Sequence, residues 1–137
     1  MAKENVKTIN SVFYRNRFVY LAGLCAAGIM VLVFFCYDLV PFGDMTILRM
    51  DLYHQYGPLF AELYDRVTEG GSLLYSWQSG LGGNFLGNFL NYLSSPFTLL
   101  IFIFGHENIT EAISVMILLK SVASACTFAY YLKASMG

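Results

Sequence analysis

The residues of this chain best suited to chemistry, by type and spacing, are Asp51, His54 and Gln55, in the run Met50-Asp51-Leu52-Tyr53-His54-Gln55-Tyr56-Gly57-Pro58. Within about one helical turn they bring together a carboxylate, an imidazole and an amide, and a three-residue offset puts His54 on the same side of a helix as Asp51. A carboxylate partly desolvated beside lipid becomes a stronger base and can take a proton from a hydroxyl. Asp51 also suits an N-cap, where Asp is among the favoured residues, and residue type alone favours the cap. His54 and Gln55 read as a hydrogen-bonding pair for a polar ligand, or as two exposed polar residues on a surface helix. A metal site would need further ligands, and none is spaced nearby. No cofactor is expected, with a divalent metal left open.

Five further residues extend this set. Arg49 and Arg66 are cations that could meet an anionic leaving group, or pair with Asp44 or Asp65. Trp77, the single tryptophan, reads as an interfacial anchor or as an aromatic platform for a sugar ring, with Gln78 and Asn84 to meet its hydroxyls. From Gly80 to Asn91, glycines and asparagines alternate with apolar residues. No Gly-Lys-Ser/Thr follows, so this is not a Walker-type phosphate loop. It reads as irregular backbone that covers a cavity or folds into the membrane edge.

Composition sets these groups at a membrane. Hydrophobic residues make up 57% of the 137 residues and charged residues 12%, about half the charged share of a soluble domain. A net charge of −1, with no basic stripe interleaved with aromatics, excludes a nucleic-acid partner. Cys25, Cys36 and Cys126 lie in or beside apolar runs, where they read as small hydrophobes and not as disulfide or zinc partners.

The elements that must hold the site follow from apolar runs and charge. Residues 1–17 are basic, with Lys3, Lys7, Arg15 and Arg17 against Glu4, and the positive-inside rule puts them in the cytoplasm. Residues 18–40 form the first expected transmembrane helix. Its uncharged core, Phe18 to Tyr37, is long enough to cross ~30 Å of hydrocarbon and too long for a signal-peptide core. Residues 41–91 form an external loop. Within it Leu52, Tyr56, Leu59, Phe60, Leu63 and Val67 recur at helical spacing, opposite Glu62, Asp65, Arg66 and Glu69. Gly57-Pro58 should divide this stretch into two short interfacial helices, and Gly70-Gly71 should end it. Residues 92–105 form the second expected transmembrane helix, 106–111 a cytoplasmic turn, and 112–132 the third helix. Lys120, inside the third, either snorkels or marks a pathway. Residues 133–137 read as the truncated end of a longer protein. The expected fold class is an all-α polytopic membrane protein with three transmembrane helices and an external loop carrying interfacial amphipathic helices.

Four stretches also carry a family likeness: Leu48-Arg49-Met50-Asp51-Leu52-Tyr53-His54-Gln55-Tyr56, Gly71-Ser72-Leu73-Leu74-Tyr75-Ser76-Trp77, Gly80-Leu81-Gly82-Gly83-Asn84 and Tyr92-Leu93-Ser94-Ser95-Pro96. In order and spacing they resemble the amino-terminal part of the YfhO family of bacterial membrane proteins, which is similar to GT-C glycosyltransferases. The resemblance implies an enzyme of many spans in the bacterial cell membrane, moving a sugar from a polyprenyl-phosphate carrier to an extracytoplasmic cell-wall polymer such as teichoic acid. It implies that Asp51 is the general base for the acceptor hydroxyl. The residue reading adds Arg49, His54, Gln55, Trp77 and Asn84 as substrate-binding candidates. The expected partners are membrane lipid, the sugar donor and the polymer acceptor. Two other functions suit the same residues: a transporter or lipid-carrier flippase, whose broken helices line a pathway, and a non-catalytic membrane assembly protein in which Asp51 only caps a helix.

Overall fold

In the computed structural model residues 2–136 are described, with side chains from Arg15 onward. The side chains of Lys3, Glu4 and Lys7, which carry part of the charge asymmetry, lie outside the described residues. The backbone is already helical at the amino terminus, where α1 runs Ala2–Cys36. Turns then lead to a wide π turn, Leu52–Tyr56, that passes directly into α2, Gly57–Glu69. Two short strands, β1 (Tyr75–Ser76) and β2 (Gly83–Asn84), pair antiparallel with Tyr75 opposite Asn84. Then come α3 (Phe85–Asn88), a second π turn (Phe89–Leu93), a 3₁₀ turn (Pro96–Leu99) and α4 (Leu100–Phe104). A 3₁₀ turn, His106–Asn108, opens into α5, Ile109–Met136.

Among the described residues two helices are long and apolar enough to cross a membrane, Arg15–Cys36 and His106–Met136. Only 11% and 22% of their most apolar windows are buried within the protein, so their hydrophobic surface faces outward, as lipid-exposed helices require. The protein is an all-α membrane protein. A third crossing exists only if the bent pair Phe85–Leu93 and Pro96–Phe104, which meet at 105°, is counted as one span. The bend has a local cause. Ser95 precedes Pro96, and a residue before proline is pushed out of the helical region; Ser95 is extended, at φ −111° and ψ 140°. Pro96 then occupies the first turn of the next helix, where its missing N–H costs nothing.

The chain divides into two compact units, residues 1–33 with 118–137, and residues 34–117. In the first, α1 and α5 run antiparallel. Lys133 Nζ donates to the Arg15 carbonyl and to Asn16 Oδ1, both at 2.6 Å, and Cys126 Sγ lies 3.6 Å from the Val19 carbonyl. A Cβ on Gly23 would stand 2.5 Å from Cys126 Sγ, so glycine there lets the two helices close on each other.

The second unit has its own core. Leu59, Phe60 and Leu63 of α2 pack with Phe85, Leu93 and Ile101, and with Ile109, Ala112, Ile113 and Met116 at the start of α5. The helical spacing read from the sequence is thus the packing face of α2, with Val67 left exposed at its end. Gly70 ends the helix in the left-handed conformation, φ 77°, as expected. Gly57-Pro58 does not divide it. The Gly57 N–H bonds the Leu52 carbonyl, five residues back. Proline lacks an N–H and crowds the carbonyl four residues before it; the wider turn relieves that crowding without breaking the helix.

One boundary differs from the sequence reading in a way that bears on the site. Residues 106–111 were expected across the membrane from residues 41–91. Instead His106 Nε2 lies 3.4 Å from Asp65 Oδ1, and the His106 ring meets Tyr64 edge-on at 5.8 Å between centroids. The turn that the sequence reading set apart from the loop thus packs against α2.

Candidate functional site

The approach to Asp51 is set by its neighbour. Met50 has left-handed backbone, φ 51°, which is uncommon outside glycine. Its carbonyl accepts the N–H groups of Tyr53 and His54, both at 3.0 Å, and the Arg49 carbonyl accepts that of Leu52 at 3.1 Å. The turn leaves Arg49, Met50 and Asp51 exposed at the head of the helical segment. Asp51 itself is already helical, at φ −60° and ψ −31°, and its side chain makes no capping hydrogen bond. An N-cap has extended backbone and an accepting side chain, so the geometry removes the capping role that residue type had favoured. The carboxylate is exposed, and no partner holds it among the described residues.

One turn on, His54 and Gln55 line a cavity of about 300 Å³, together with Pro58, Leu59, Glu62, Gln78, Ser79 and Asn88. The structure therefore joins two of the expected binding residues to four polar ones from α2, the β1–β2 loop and the end of α3. Glu62, expected on the solvated face of α2, is only 7% exposed. It is covered because the chain after Gly70-Gly71 folds back as the β1–β2 hairpin. Arg66 holds the hairpin there. Its Nε and Nη2 donate to Glu62 Oε1 at 2.9 and 2.6 Å, its Nη1 donates to the carbonyls of Ser72 and, at 3.0 Å, Tyr75, and its guanidinium lies 4.6 Å from the Phe85 ring centroid, within cation–π range. The fully buried Ser76 hydroxyl also donates to Glu62 Oε1 and accepts the Gln78 N–H at 3.1 Å. Arg66 is thus committed to Glu62, and not to Asp65 or a substrate.

The hairpin depends on one glycine. Gly82 has φ 105°, and a Cβ there would run into the Tyr75 hydroxyl, so both backbone and space require glycine.

The other sequence candidates stand apart from the cavity. Arg49 is exposed and, among the described residues, in no ion pair. Trp77 is 77% exposed, its ring edge-on to Tyr75 at 5.0 Å. Asn84 is an N-cap, its Oδ1 accepting the Gly87 N–H at 3.1 Å. Neither Trp77 nor Asn84 lines the cavity. The sequence reading missed Glu62, Ser79 and Asn88. Glu62 carried a usable signal, since positions 55, 58 or 59, and 62 repeat at i, i+3 or i+4, and i+7, one helical face.

The cavity offers amides, a hydroxyl, an imidazole and a carboxylate paired with its own arginine. Such a set can donate to and accept from hydroxyl groups on several sides. Asp51 is not among the residues that line it. A family model described as "Bacterial membrane protein YfhO" matches residues 23–136. No curated protein and no solved structure matches the chain.

Proposed function

Because the chain belongs to the YfhO family of bacterial membrane proteins, we propose that it forms the amino-terminal part of an integral-membrane glycosyltransferase. The reaction moves a sugar from a polyprenyl-phosphate carrier to an extracytoplasmic cell-wall polymer such as teichoic acid. Asp51 takes the proton of an acceptor hydroxyl as that oxygen bonds to the anomeric carbon. The bond from that carbon to the carrier phosphate breaks, and the phosphate leaves with the electron pair. Arg49, two residues away and exposed, is the cation available to the leaving phosphate. With basic residues at the amino terminus, the site lies on the outer face of the cell membrane and the amino terminus in the cytoplasm.

The observation that carries this reading is Asp51 itself, exposed and free of any capping bond, one turn from residues that line a polar cavity. An exposed carboxylate with no capping bond, in the family's first external loop, supports a role in proton transfer. The test is sugar transfer by the intact protein carrying Asp51→Asn. Loss of a general base lowers the rate by about 10²–10⁴, while Tm stays near the parental value, because no capping bond is lost. Asp44→Asn, in the same loop, should keep most of the activity. Transfer by Asp51→Asn at close to the parental rate would remove Asp51 from the mechanism.

A further inference from the structure

Lys120 stands at a depth where a cation is costly. Val122 and Cys126 of α5 both face Gly23 of α1, 3.6 and 2.5 Å from the place of a Cβ there. Counting along the antiparallel pair sets Lys120 level with about Ala27, in the middle of the uncharged run Phe18–Tyr37. At 1.5 Å per residue either end of that run is about 14 Å away, further than a four-carbon stem can snorkel. Lys120 is nonetheless exposed, with no ion pair among the described residues. Ser124, Thr127 and Tyr131 are exposed as well, and offsets of four, three and four put them on one stripe with Lys120. Val122, Cys126 and Lys133 form the stripe that meets α1. The two stripes lie about 180° apart around the helix, so the polar one faces directly away from α1. Thr127 satisfies its hydroxyl on the Ala123 and Ser124 carbonyls, at 2.9 and 3.0 Å. Lys120 has three donors to satisfy, and a charged side chain within the hydrocarbon turns to a protein neighbour or to water.

We propose that this stripe of α5 packs against a further transmembrane helix of the full-length protein, and that the helix brings an Asp or Glu to the depth of Lys120. The proposal rests on the reading of the chain as the amino-terminal part of a larger protein. It adds which face receives another helix and the charge that helix carries. A carboxylate is required, because a neutral helix would leave the ammonium desolvated and unpaired. A second copy of this chain cannot supply it. The run Phe18–Tyr37 has no charge, and Lys120 is the one charged residue between Glu111 and Lys133. A two-fold pairing through this stripe would also bring Lys120 toward its own copy. Ser124 and Thr127 are small enough to let a neighbouring backbone approach, and the Ser124 hydroxyl can bond across the contact.

The experiment uses the full-length protein in nanodiscs. Ser124 is replaced by the photo-crosslinking amino acid p-benzoylphenylalanine, and the adducts are mapped by mass spectrometry. The expected product is an intramolecular adduct to another apolar span, within about two turns of an Asp or Glu. Lys120→Met removes the charge and keeps the length. It should lower Tm by at least about 5 °C, because it strands the partner carboxylate. Changing that carboxylate to its amide in the same protein should restore most of the loss, the coupling expected of two groups in contact. The proposal is overturned if the adducts form only with lipid, with a second copy or with a different protein. It is equally overturned if Lys120→Met leaves Tm unchanged or raises it, as for a lysine facing lipid, or if the second substitution restores nothing. Failure of the transferase reading appears separately, as sugar transfer by Asp51→Asn, whatever the crosslinks show.

Discussion

At the scale of single residues, the chain separates groups with structural tasks from groups without them. Glu62 and Arg66 were both legible as polar residues of an amphipathic helix, but not as a buried pair, because the segment that buries them lies ten residues further on and has no periodicity of its own. Asp51 went the other way. Its type suggested a cap, while the left-handed Met50 before it, which residue type does not announce, had already started the helix. The Glu62–Arg66 pair has a measurable consequence. Glu62→Ala leaves a guanidinium that is 14% exposed without its carboxylate, and such a loss destabilises by about 3–5 kcal/mol. Ser76→Ala removes the bond to the Glu62 carboxylate and those accepted from the Gln78 N–H and the Ser79 hydroxyl, and costs about 1–3 kcal/mol. Denaturant unfolding in detergent checks both, and a Glu62→Ala loss under about 1 kcal/mol would mean that the pair is dispensable.

At the scale of elements, periodic patterns were read correctly and aperiodic ones were not. The α2 face, its proline-bearing first turn and its glycine stop all come from spacing and residue chemistry that act within a few positions. The β1–β2 hairpin has two residues in each strand, too few for an alternation to show. It exists because Arg66 and Ser76 tie it to α2, contacts that no local pattern encodes. The bent pair lies between these cases. Its apolar content reads as a span, but Ser94-Ser95-Pro96 in its middle is a turn signal. Phe85 and Ile101, one on each arm, are both fully buried, so each arm is held by the core of its unit and not by lipid alone.

At the scale of the whole molecule, the sequence made the membrane class plain and the family likeness specific, because both rest on composition and short motifs. The side on which each segment lies was harder to read, since sidedness depends on the number of crossings, and an apolar run does not reveal whether it crosses or turns back. Within their own unit Lys133 sits beside Arg15 and Asn16, so α1 and α5 run antiparallel; within the other, His106 meets Asp65. Labelling tests which segments share a face. In a background with Cys25, Cys36 and Cys126 replaced by serine, Ser72→Cys and Glu107→Cys should both react with a membrane-impermeant thiol reagent from the same side. Ser11→Cys should react only from the other. Labelling of Ser72→Cys and Glu107→Cys from opposite faces would restore a straight middle span.

The turn ahead of α2 has an arithmetic consequence. A loop of hydrogen bonding that closes over five residues, Leu52 to Gly57, holds one residue more than the regular winding needs. The surplus acts as a phase shift: everything before it is rotated about the axis relative to everything after it, by about 100° per residue. Asp51 is written into the chain before the shift, and Glu62 after it. Deleting Tyr53, an exposed side chain, together with Pro58→Ala to remove the ring that the wide turn accommodates, should give a regular helix of normal stability in which Asp51 points elsewhere. Helical content by circular dichroism should hold while sugar transfer falls as far as it does in Asp51→Asn. Parental activity in that variant would show that the angular setting of Asp51 is immaterial. If transfer falls as expected, the spare residue is a clock hand, setting the direction in which Asp51 faces from a position of its own further along the chain.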